Sequence, residues 1–184
     1  MHYRRLASFL IGAWLAASAL MDFCVTQNFR EVDRFLERAD PGAVQQVQAL
    51  GGRDEARNFL RREAGELNAF LFERWEIAQL VLGALLLGGF LFGGDAPRAA
   101  LLLTTGMLAI VAVNRFYLTP EISRLGQLPV DAHFWMLHGI SSGLELLKLA
   151  MGLIAAGTLV VRHTDRKRSV RDHENVPRTA SPLA

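Results

Sequence analysis

The chain has 184 residues, 51% of them apolar, and a formal net charge of +2, which leaves room for one domain and gives no charge excess to suggest a nucleic-acid partner. The apolar residues are gathered into blocks, which excludes an ordinary soluble core drawing on residues dispersed along the chain. A single cysteine, Cys24, excludes an intramolecular disulfide and a zinc site of the CxxC type.

Four blocks are long enough to cross about 30 Å of hydrocarbon, which takes roughly 20 apolar residues in helical form because lipid offers no partner to backbone polar groups. The first covers 6–26. Arg4 and Arg5 before it, and Ala17-Ser18-Ala19 within it, imitate a secretory signal and its cleavage site. Cleavage would leave three spans and an exported N-terminus. The apolar stretch runs on through Phe23, Cys24 and Val25, however, so retention as a full span is expected.

Residues 27–68 carry seven arginines and eight carboxylates. Phe29, Val32, Phe35 and Leu36, then Ala56, Phe59, Leu60, Ala64 and Leu67, recur at helical spacing on either side of a break made by Asp40-Pro41-Gly42 and Gly51-Gly52. Spans one and two are therefore expected to continue past the membrane surface and pair as an antiparallel hairpin, with a short helix over 43–50 at its tip. A helix lying flat on the outer leaflet is the competing arrangement.

The second block covers 69–93 and the third 97–118, with Gly93-Gly94-Asp95-Ala96-Pro97 as a tight break between them. Pro120, Gly126, Pro129 and Asp131 predict an ordered turn or short helix over 119–132. The fourth block covers 134–161. Beyond it the composition turns polar and basic, which predicts a disordered cytoplasmic tail over 169–184 and attraction to anionic lipid near the membrane. The predicted fold is all-α, a four-helix transmembrane bundle within 1–168 whose first two spans extend into an extramembrane hairpin.

Four spans put both ends of the chain on one side. Arg4 and Arg5 precede the first span, and Arg162, Arg166, Lys167, Arg168 and Arg171 follow the last. Basic residues beside spans stay in the cytoplasm, so both termini are expected there. Arginine outnumbers lysine 18 to 2 in a chain rich in Ala, Leu and Gly, a pattern of GC-rich coding that points to a bacterial inner membrane.

Ionisable groups inside spans are candidates for function, because lipid penalises them unless they are paired or face water. Alternating the span directions puts Asp22, Glu73, Glu76, Gln79, Asn114, Arg115, His138, Ser141 and Ser142 in the outer third, with Glu145 and Lys148 deeper. His138, Ser142, Glu145 and Leu149 follow a helical stripe that is expected to face inward. One reading is a structural network in which Arg115 takes Asp22 or Glu76 as counter-ion. A second is an outward-facing pocket or proton path in which Glu145 titrates. A third places a soft metal on Met21, Cys24, His133, Met136 and His138, whose sulfur and imidazole ligands suit Cu(I). Haem would need a second histidine on a facing span, and none is present. No cofactor is expected, and without a phosphate loop, HExxH or nucleophile elbow neither is an enzyme. Gly12, Gly83, Gly88, Gly89, Gly139, Gly143, Gly152 and Gly157 are expected to let helices approach closely. Trp75, Tyr117 and Trp135 suit the membrane interface, whereas Trp14 lies deeper.

Asp22-Phe23, then Tyr117-Leu118-Thr119-Pro120-Glu121-Ile122, then Phe134, Leu137-His138, Ser141 and Glu145-Leu146 resemble a bacterial four-span domain of unknown function related to vertebrate transmembrane protein 205. The resemblance extends over all four spans and implies that the first is retained. It supplies no catalytic or binding residues, and the charged segment 27–68 is longer than the family leads one to expect. The function expected is that of a structural or interaction component, assembling with itself or with a periplasmic or membrane protein through the outer hairpin. A small-solute, proton or metal-ion transporter component using the outer polar pocket is the alternative.

Overall fold

The computed structural model describes residues 2–38, 41–93, 97–128 and 131–174, with side chains described only between 5 and 159. Helix α1 spans His2–Glu37, α2 Pro41–Ala49, α3 Arg53–Phe92, α4 Arg98–Val113, α5 Thr119–Gly126 and α6 Ala132–Glu174, and a π-helical turn, Asn114–Leu118, joins α4 to α5. No strand occurs among the described residues. Four helices are long and apolar enough to cross a membrane, so the chain is an all-α, multi-pass membrane bundle. Each long helix packs on two neighbours, in the cyclic order α1, α3, α4, α6.

Continuous α1 and α3 form the hairpin foreseen from the helical spacing of residues 27–68. Val32, Leu36, Ala56 and Ala64 are buried between the two helices, with Phe35, Val47 and Leu60 packed around them. The small side chains of Ala56 and Ala64 let α1 approach α3 closely. At the tip, Pro41 opens α2, where its missing N–H is not needed. The tip helix thus occupies 41–49 where 43–50 is expected. Gly51 (φ 93°) and Gly52 (φ 103°) then reverse the chain in conformations open mainly to glycine, and the Gly52 amide donates to Val47 O at 3.0 Å. Asp54 and Glu55 in the first turn of α3 suit its positive dipole end.

Between α3 and α4, residues 94–96 of the expected tight break lie outside the described residues. Pro97 is extended and its carbonyl accepts from Leu101 at 3.1 Å, starting α4. Segment 119–132 contains the expected short helix, α5. Asp131 caps α6, its carboxylate accepting from the Phe134 amide at 2.9 Å.

Two sequence expectations are corrected. Backbone of α6 remains helical to Glu174, although disorder is expected from 169; a helix already nucleated propagates through polar residues, and no Gly or Pro interrupts 158–174. The rest of that tail, 175–184, lies outside the described residues. Of the span glycines, Gly83 and Gly152 show the close approach expected and five others do not. A Cβ at Gly83 would meet Leu108 Cδ2 at 2.3 Å, and one at Gly152 would meet Leu15 Cδ2 at 2.7 Å, whereas Gly12, Gly88, Gly139, Gly143 and Gly157 have nothing within 4 Å of that position. Gly106, not singled out from the sequence, is as tight, with Met151 Cε at 2.4 Å.

Inside the ring of helices, the half nearest the chain ends is apolar. Ala7, Ile11, Leu86, Phe90, Ala100, Met107, Val111, Ala155 and Leu159 fill it, and Trp14 closes its upper edge. The half nearest the hairpin is polar.

Candidate functional site

Trp14, Ser18 and Asp22 share one face of α1, and Glu76, Gln79 and Gly83 share one face of α3, because residues three and four apart align on a helix. Both faces turn towards α6, where Ser141, Glu145 and Lys148 continue into Gly152, Ala155 and Leu159 along one inward stripe. Lys148 is the centre of the resulting cluster. Its side chain is 1% exposed, and its ammonium donates to Gln79 Oε1 and Glu145 Oε2. Gln79 Oε1 also accepts from the Trp14 indole N–H at 2.9 Å. Asn114 donates to Glu145 Oε1 at 3.0 Å and its carbonyl oxygen accepts from Ser141 at 3.4 Å. Gln79 of α3 thereby joins Trp14 of α1 to Lys148 of α6, and the π turn joins through Asn114 on Glu145.

A second carboxylate, Glu76, is 3% exposed. Its Oε1 accepts from the Thr119 hydroxyl, while its Oε2 is buried without a hydrogen-bond partner. Asp22 is half-buried and within electrostatic reach of Glu145 and Lys148. Glu76 in turn feels Arg115, Glu145 and Lys148. The cluster thus holds three carboxylates against Lys148 and the half-buried Arg115.

The π turn has a cause in sequence. Pro120 lacks an N–H, and in an unbroken α-helix its ring would clash with the carbonyl of residue 116. Widening one turn relieves that clash, and such turns recur at functional sites. Here it places Asn114 and Thr119 against different carboxylates, Glu145 and Glu76.

Asp22, Glu76, Gln79, Asn114, Ser141, Glu145 and Lys148 come together as the span positions suggest; His138 and Ser142 do not. His138 is exposed, stacked on Phe134 with ring centroids 5.8 Å apart, and Ser142 donates back to the His138 carbonyl at 2.9 Å. The inward stripe of α6 is therefore rotated from the expected one, because burial of Lys148 and the tight contact at Gly152 fix which face turns in. Arg115 makes no ion pair within 4 Å among the described residues; Lys148 takes the counter-ion role, pairing with Glu145. Of the soft-metal candidates, Cys24, His133, Met136 and His138 are exposed and Met21 is half-buried. No three His, Cys, Asp or Glu side chains among the described residues are placed to hold a metal ion.

Sequence reasoning missed Trp14 and Thr119 as members of the cluster. Trp14 carries a signal in hindsight, since an indole N–H deep in a span needs an acceptor and Gln79 is the buried amide facing it. Thr119 offered none without the π turn.

Residues 56–128, from the hairpin half of α3 through α5, match a domain of unknown function (DUF4149). No curated protein and no solved structure matches the chain. The matched segment carries Glu76, Gln79, Asn114 and Thr119, and stops short of α6, which carries Lys148.

Proposed function

We propose that this chain is a multi-pass protein of a bacterial inner membrane, with both termini cytoplasmic, that acts by assembling with itself or another protein through its outer hairpin and is not an enzyme. The observation that carries the reading is an apolar edge left uncovered on the hairpin. Phe59 and Leu67 are 46% and 51% exposed on α3 and Phe29 is 37% exposed on α1, although the inner face of the same hairpin is well packed. Large apolar side chains left open on a segment otherwise dense in charge suit an interaction surface. The match at 56–128 is to a domain of unknown function and assigns no chemistry; the proposed kinship with bacterial relatives of vertebrate transmembrane protein 205 rests on the resembling residues of the sequence alone.

Mass measurement in mild detergent tests this, with cross-linking in native membranes beside it. The expected result is an assembly heavier than the 20.4 kDa chain that falls to a folded monomer in a Phe59→Arg, Leu67→Arg variant. A monomeric wild type with no cross-linked partner would overturn it.

The transporter reading has one observation in its favour, the buried charged cluster. The apolar packing beneath that cluster, from Ile11 and Met107 to Leu159, weighs against a path running through to the side of the chain ends.

A further inference from the structure

We infer that the carboxyl group of Glu76 is a proton-binding site, reached from the hairpin side of the bundle. Glu76 is among the most enclosed ionisable side chains described, and its Oε2 faces the interior with no donor. The nearby cations do not serve it. Lys148 is committed to Glu145 and Gln79, and Arg115, within electrostatic reach, makes no contact pair among the described residues. The groups acting on Glu76 are the Thr119 hydroxyl from α5, Arg115 from the π turn, and Glu145 and Lys148 from α6; Glu73 lies one turn away on its own helix, and Asp22 of α1 acts on Glu145 and Lys148. A proton on Oε2 neutralises a buried carboxylate that no cation contacts among the described residues and that would otherwise keep an uncompensated oxygen away from water. An O–H bond forms at Oε2, the donating hydronium leaves as water, and the Thr119 hydroxyl keeps its bond to Oε1.

Access follows from packing. Asp22 and Glu145 are partly exposed at the hairpin end, while below the cluster Trp14, Ile11, Leu86 and Met107 close the interior. Exchange is therefore one-sided, a titrating site and not a proton channel. This inference stands whether or not the hairpin assembles with a partner.

Infrared difference spectroscopy of the full chain in liposomes, titrated with acid and base, tests it through the C=O stretch of protonated carboxylic acids. The expected result is one deuterium-sensitive band per chain that disappears on alkalinisation, is absent in Glu76→Gln, and persists in Asp22→Asn and in Glu145→Gln. If Glu76→Gln does not fold by circular dichroism, Glu76→Asp is expected to keep the band at a shifted frequency. Persistence in folded Glu76→Gln, an unshifted band in Glu76→Asp, or loss in Asp22→Asn or Glu145→Gln would overturn the assignment. So would displacement of the band by sodium at constant pH, which would make the ligand a metal cation.

Discussion

At Lys148 a full positive charge sits 1% exposed among helices, and its neighbours, not water, determine whether that is tolerable. Removing one member of a buried pair strands the other, at a cost of about 3–5 kcal/mol, whereas replacing both by apolar groups is often neutral. Lys148→Met is therefore expected to destabilise the bundle by about 3 kcal/mol in detergent unfolding, and Lys148→Met with Glu145→Met to recover most of that loss. Equal destabilisation in the single and double variants would show that the pair is not coupled. Glycines divide along the same physical line. Gly83→Leu forces side-chain atoms into the space held by Leu108 and Trp14 and is expected to cost about 1–3 kcal/mol. Gly143→Ala, with open space at its Cβ, should fall within about 0.5 kcal/mol of wild type, and comparing melting temperatures of the two separates tight positions from loose ones.

Among the elements, the hairpin and α6 show what was legible in the sequence. The helical spacing of apolar residues over 29–36 and 56–67 was enough to foresee paired helices, because one buried face imposes one period, although Phe29, Phe59 and Leu67, placed on that face by spacing, are exposed while Val32, Leu36, Ala56 and Ala64 are buried. The tip depends on glycine in a conformation strained for other residues, and Gly52→Ala is expected to lower stability by about 1–3 kcal/mol; an unchanged unfolding midpoint would refute that role. Four helices long and apolar enough to cross a membrane likewise followed from hydropathy. The rotation of α6 did not, because His138 and Ser142 are as polar as Ser141 and Glu145. Only the packing of Gly152 against Leu15 and the bonds of Lys148 select the inward face. The π turn was hidden for a related reason: Pro120 announces a disturbance in the helix, but the partners that Asn114 and Thr119 then meet lie on α6 and α3, far along the chain.

Across the whole molecule, three tiers follow one another from the chain ends to the hairpin tip: an apolar plug, a charged layer and a water-compatible pair of helices. This order gives the bundle a direction, with its titratable groups and uncovered apolar edge towards the same end. The proposed orientation puts that end outside the cytoplasm, since the basic residues flanking spans one and four lie at the other. Labelling with a membrane-impermeant maleimide in spheroplasts, in a Cys24→Ser background, tests this most directly. The account predicts that Gln45→Cys, on α2, is modified in intact spheroplasts and that Ser181→Cys, near the C-terminus, is modified only after the membrane is opened. Modification of both positions in intact spheroplasts, or of Ser181→Cys alone, would contradict it.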